Sequence, residues 1–175
     1  MGQGLNLMQK VRRLKLTDFN PLFNKLEKLR TALIEVKDVA EIAALKTFEA
    51  NMKQRIFDNS TGTSGEVFGT YRSEAYKDKR KKAGRQTDIK DLQFSGEFKK
   101  DLQIGTSGGK NVLGFKTERS IDIAKGQQEG SKTRYGTFVK QINIPIFTPQ
   151  QEEIDFAFEE YSKVINDKII ETLNV

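Results

Sequence analysis

The chain has 175 residues, 36% of them hydrophobic, and 30 Lys and Arg against 24 Asp and Glu, for a formal charge of +6. It contains neither Cys nor His, which excludes disulfides, thiolate chemistry, Ser-His and Cys-His catalysis and the usual zinc sites. That length buries one ordinary core and predicts a single domain over residues 21–175, preceded by an N-terminal arm over residues 1–20.

The sequence pI of 9.4 fits a solvated surface with surplus lysine, and equally a protein working beside a polyanion. No apolar run approaches the ~18–20 residues of a membrane span, and the first residues lack the apolar centre of a signal peptide. The expectation is a soluble protein with no membrane partner.

Residues 1–16 place Leu5, Leu7, Met8, Val11, Leu14 and Leu16 among basic residues without a clear cap. Two readings stand side by side: an arm that orders on a neighbouring subunit, and a short helix packed on its own core. Asn20-Pro21 is a good helix start, Asn capping and Pro preset for the first helical position. Leu22, Leu26, Leu29, Leu33 and Val36 then recur at helical spacing, and Ala40, Ala43, Thr47 and Ala50 continue the stripe. Residues 21–57 therefore read as one long bent helix, or as two if Asp38 and Glu41 form a capping box that restarts it. The small residues in its second half favour close packing on a sheet over a self-standing coiled coil.

Asp58 to Gly65 is loop composition. Val67, Phe68 and Tyr71 lead into the densest basic run of the chain, with Lys77, Lys79, Arg80, Lys81 and Lys82 followed by Arg85. Such a run is either a solvated helix end or a surface that meets phosphates without reading sequence. No aromatic residue interrupts it, which disfavours recognition of single strands by stacking. Ser95 is placed to cap a turn at Gly96, Glu97 and Phe98. Leu102 to Gly105 and Val112 to Phe115 read as two strands of a hairpin, joined through Thr106-Ser107-Gly108-Gly109.

A helix from Glu118 to Gln128 sets Ile121, Ala124 and Lys125 on one side and stops at Gly130. Residues 130–141 read as an exposed loop, and 142–147 as a final strand that Pro145 confines to an edge. Thr148 as cap, Pro149 at the first position and Gln151 completing the box open a last amphipathic helix. Ile154, Phe158, Tyr161, Ile165, Ile169 and Leu173 stripe it. The fold class is α+β: a long N-terminal helix or helix pair, a small antiparallel sheet with a β-hairpin, a central helix and a long C-terminal amphipathic helix.

No catalytic, cofactor-binding or metal-binding constellation emerges. Gly108-Gly109 and the glycines at 62 and 65 lack the Lys-Ser/Thr ending of a P-loop and the spacing of a dinucleotide fingerprint, so they read as turns. Asp88 with Asp91 lies beside basic residues, and Glu152 with Glu153 opens a helix where acidic groups favour the dipole. Neither pair needs a catalytic role, and the chain does not read as an enzyme.

The order of motifs carries a resemblance. Arg55-Ile56-Phe57 ends a helix, followed by a segment with Tyr71, Tyr76 and many lysines, then Gly84-Arg85-Gln86-Thr87 and Leu92-Gln93-Phe94-Ser95-Gly96-Glu97-Phe98. Val112-Leu113-Gly114-Phe115, the Ala124 helix reaching Gln127-Gln128-Glu129-Gly130, and Ile144-Pro145-Ile146-Phe147 complete the series. Over roughly residues 40–170 this order resembles the virion-morphogenesis and tail-completion proteins of tailed bacteriophages. Ser95 stands where that family usually has threonine, and no arginine precedes Pro145.

The resemblance implies an α+β subunit of a homo-oligomeric ring of about six or twelve copies at the head–tail interface. Its partners would be further copies of itself, adjacent portal, neck or tail proteins, and genomic DNA in the lumen, held without sequence readout. It would sit in the virion, and in the host cytoplasm during assembly. On that reading Lys77, Lys79, Arg80, Lys81, Lys82 and Arg85 are candidates for the DNA channel. Leu5, Leu7, Met8, Val11, Ile144, Ile146 and Phe147 are candidates for subunit interfaces. A free-standing DNA-binding protein without sequence preference, or an assembly factor absent from finished particles, are the alternatives.

Overall fold

The computed structural model describes residues 20–92, 95–132, 138–139 and 145–173. Helix α1 (Asn20–Lys53) runs without interruption into a π-helical turn (Gln54–Asp58). Helix α2 (Glu74–Lys82), α3 (Glu97–Asp101), strands β1 (Leu102–Ser107) and β2 (Lys110–Phe115) and helix α4 (Glu118–Glu129) follow. Two short strands, β3 (Ser131–Lys132) and β4 (Phe138–Val139), precede helix α5 (Gln151–Leu173). Each sheet is a two-stranded antiparallel pair, β1 with β2 and β3 with β4. The fold class is the α+β class expected.

The described residues fall into two compact units, one of residues 20–40 with 162–173 and one within residues 41–161. In the first, the small residues are the buried ones: Ala32 and Ala40 are buried while Leu29, Leu33 and Val36 are half-buried. Leu22 and Leu26, at the start of the expected stripe, are exposed, as is Phe23 beside them. On α5, Ile165, Ile169 and Leu173 are half-buried.

The second unit closes on an aromatic core of Met52, Ile56, Phe57, Phe68, Phe98, Leu102, Ala124 and Ile146, with Phe48, Leu113, Phe115 and Phe147 packed against it. Phe98 is its centre. It stacks on Phe115 at 4.6 Å and meets Phe57 and Phe147 edge-on at 5.6 and 6.2 Å, geometries that aromatic quadrupoles favour.

Several sequence expectations change. The Asp38–Glu41 box does not restart a helix, because α1 is continuous there. The contribution of α1 to the core of this unit comes from Met52, with Phe48 packed against it, rather than from Ala43, Thr47 and Ala50, of which Ala50 is exposed. The π turn then buries Arg55, Ile56 and Phe57 in succession. A regular helix turns 100° per residue and cannot hide three consecutive side chains, whereas the wider i→i+5 turn, closed by Asn59 N–H donating to Gln54 O at 2.8 Å, can.

The hairpin strands are six residues each, so its turn is only Gly108-Gly109, with φ of 58° and 74°. Two consecutive left-handed residues define a type I′ turn, and glycine is the residue that adopts them without strain. The loop expected at 130–141 contains the β3–β4 pair. Thr117 caps α4 by accepting from Ser120 N–H. Helix α5 begins at Gln151, and Glu153 rather than Gln151 closes its first turn, accepting from Gln150 N–H at 2.9 Å. Ile154 and Phe158, expected on its buried stripe, are exposed. Among the described residues no helix is long and apolar enough to cross a membrane.

Candidate nucleic-acid interface

Helix α2 carries the basic run. Ser73 caps it, accepting from Tyr76 N–H at 3.3 Å, and Glu74 lies in its first turn while Lys79, Arg80, Lys81 and Lys82 fill the last. Acidic residues at the start and basic residues at the end both suit the helix dipole, so this nine-residue segment is locally consistent despite its charge.

Arg80 points inward and is 1% exposed. Its Nε donates to Gln86 O at 2.7 Å and its Nη2 to Asp91 Oδ2 at 2.6 Å, and its guanidinium lies 4.7 Å from the centre of the Tyr71 ring. Asp91 also accepts from Gln86 Nε2 at 2.8 Å and Tyr71 Oη at 3.0 Å, and its own N–H donates back to Tyr71 Oη at 3.2 Å. Gln86 Oε1 in turn accepts from the N–H groups of Asp88 and Ile89. Burial, followed by smaller effects that include the neighbouring Asp91 charge, pushes the Tyr71 phenol up to about 12.

This corrects the placement of Arg80 among the DNA-facing residues. Its charge is matched by Asp91 and enclosed, so it fixes α2 to the unit instead of meeting a ligand. Arginine can be buried in this way because its long stem carries a head whose charge and donors are met by Asp91 and Gln86.

The rest of the run stays outside. Lys79, Lys81, Lys82 and Arg85 are exposed, and Lys77 is half-buried with its Nζ on Glu74 at 2.7 Å. Two further cations of this segment lie near each other. An isolated bridge between Thr70 and Ile89 brings Arg72, just before α2, near Lys90. Burial, then the Arg72 guanidinium, hold the Lys90 ammonium below the usual lysine value. Residues 18 positions apart with no shared motif give no sequence signal for such a juxtaposition.

The other motifs of the sequence converge on a different point. Arg55 is buried and donates through Nε and Nη2 to Glu153 at 2.6 and 3.2 Å, and to the carbonyls of Ile146 and Thr148 at 2.9 and 3.1 Å. Gln128 Oε1 accepts from Ile146 N–H and Phe147 N–H at 2.8 and 3.3 Å. Thr63 N–H donates to Pro145 O at 2.8 Å and its hydroxyl to Thr148 O. The backbone of residues 145–148 is thus satisfied by side chains and one loop amide instead of a sheet ladder, which accounts for proline there.

In consequence Ile146, fully buried, is a fold residue and not the interface residue expected, while Phe147 is half-buried and packs on the core. Leu5, Leu7, Met8, Val11 and Ile144 lie outside the described residues. Glu153, the expected helix-opening acid, is the partner of Arg55. Among the described residues no group of three metal-ligating side chains occurs. No family model, no curated protein and no solved structure matches the chain.

Proposed function

We propose that the chain is a structural subunit of a homo-oligomeric ring of about six or twelve copies at the head–tail interface of a tailed bacteriophage, forming a neck, connector or tail-completion ring. The motif order supplies the family. The observation that carries the chemistry is the cationic surface at the end of α2: Lys79, Lys81 and Lys82 are exposed on the last turn of a helix held by the buried Arg80–Asp91 pair, and Arg85 is exposed three residues beyond it. Lysine-rich, rigid and without base-reading side chains between them, they suit retention of a phosphate backbone and not its sequence. In a ring this face rims the lumen.

The exposed apolar side chains support a subunit over a free monomer. Leu22, Phe23 and Leu26 on α1 and Phe156 and Phe158 on α5 lie in water, Phe158 at 68% exposure. Apolar clusters on long helices are surfaces that an assembly covers.

Replacing Lys79, Lys81, Lys82 and Arg85 together by Gln, with Arg80 left intact, tests the assignment. Particles that assemble normally and leak DNA support it. Loss of assembly makes these residues interface instead, and steep salt-dependent DNA affinity of the isolated subunit points to a free-standing DNA-binding protein.

A further inference from the structure

The unit of residues 41–161 carries an open groove of about 400 Å³. Phe48 from α1, Leu113 and Phe115 from β2, Ile121 and Ala124 from α4, and Phe147 form its walls. The polar group best placed to hold a small polar ligand, Gln128, has its carbonyl oxygen committed to the backbone N–H groups of Ile146 and Phe147. The lining is otherwise mainly apolar, which suits aliphatic side chains of a peptide. Lys125 and Glu129 also line it, and the adjoining face of α4 carries Glu118, Arg119 and Asp122.

We infer that this groove receives residues 5–16 of a second copy of the chain, an inference that rests on the ring reading. That segment, LNLMQKVRRLKL, spaces Leu7, Met8, Val11 and Leu14 as one helical stripe and adds Lys10, Arg12, Arg13 and Lys15 with no acidic residue. Its apolar stripe matches the apolar slot. Nineteen residues precede Asn20, where α1 begins, enough chain to hand the stripe to a neighbour. Ring closure needs a contact that is heterologous, one copy giving and the next receiving, and a segment inserted into a groove has that character.

The absence of cysteine makes a clean test possible. Two full-length variants with different tags, Met8→Cys and Ile121→Cys, are co-expressed and mildly oxidised. Ile121 is 37% exposed, so the change leaves the core intact. The expected product is a covalent dimer carrying both tags, at least about tenfold more abundant than when Lys110→Cys at the hairpin tip replaces Ile121→Cys. Adding Val11→Asp to the donor chain should abolish it.

No excess over the Lys110→Cys control overturns the inference. A disulfide formed only within single chains of the doubly substituted protein, Met8→Cys with Ile121→Cys, overturns it as well. Native mass spectrometry of the same samples separates the two levels. A ring without the cross-link sinks the docking and leaves the ring reading standing, whereas cross-linked pairs that never close a ring uphold the docking and sink the ring reading.

Discussion

Substituting Arg80 by Met separates the structural charge of α2 from the exposed ones. Breaking a buried ion pair by removing one partner costs about 3–5 kcal/mol, because the other charge stays enclosed. Here Asp91 keeps the Tyr71 hydroxyl and the Gln86 amide as donors, which places the loss near the low end, about 3 kcal/mol. Gln86 O loses a donor at 2.7 Å, worth about 1 kcal/mol. The contact with the Tyr71 ring adds about 0.5–1 kcal/mol.

Together these come to about 4.5–5 kcal/mol, a large part of the ~5–15 kcal/mol that holds a domain together. With a urea m-value near 2 kcal/mol/M the midpoint should fall by about 2.3–2.5 M. Urea titration followed by circular dichroism at 222 nm reads it directly. Lys81→Gln with Lys82→Gln, both exposed, should stay within about 0.5 kcal/mol of the parent. An Arg80→Met midpoint indistinguishable from the parent, or a variant that keeps its stability and releases DNA as the lysine variants do, would refute the reasoning.

Other consequences follow from the same geometry. Arg55→Met strands the buried Glu153 carboxylate and strips donors from the carbonyls of Ile146 and Thr148; it should cost about 4–5 kcal/mol, and chemical denaturation showing less than about 1 kcal/mol would remove the clamp from the account. Tyr71 has a folded pKa near 12 against an unfolded value near 10, so its contribution is complete below pH ~10 and lost as pH rises to ~12. An ultraviolet absorbance titration should show a late phenolate component that disappears in Tyr71→Phe. The Thr117 backbone N–H, accepted at 2.9 Å, is the main cause holding the Asp101 carboxyl below the usual aspartate range. Its contribution is therefore present above pH ~4 and lost as pH falls through the depressed value. Asp101→Asn should flatten that acid limb of the unfolding curve while leaving the Tyr71 component unchanged.

Much of the architecture was legible because local chemistry and tertiary packing agree. Helix α1 begins at Asn20-Pro21 as expected, Gly108-Gly109 turns the hairpin, and Gly130 stops α4 with φ of 95°. Where side chains bond over long range, sequence periodicity failed. Three consecutive buried residues at Arg55, Ile56 and Phe57 obey no helical period, because a π turn made room for them. Alternation over residues 142–147 suggested an edge strand, but the backbone partners of residues 145–148 are Arg55, Gln128 and Thr63, up to 93 positions away. The basic run was visible as a run; which of its cations is internal depends on Asp91 and Tyr71, reached by the Thr70–Ile89 bridge.

The ring assignment is tested most directly by mass spectrometry of purified phage particles, with copy number scaled to the major capsid protein. The account predicts the chain in the finished virion at about six or twelve copies. Its absence from particles that are otherwise complete would contradict the account and leave an assembly factor or a soluble DNA-binding protein in its place.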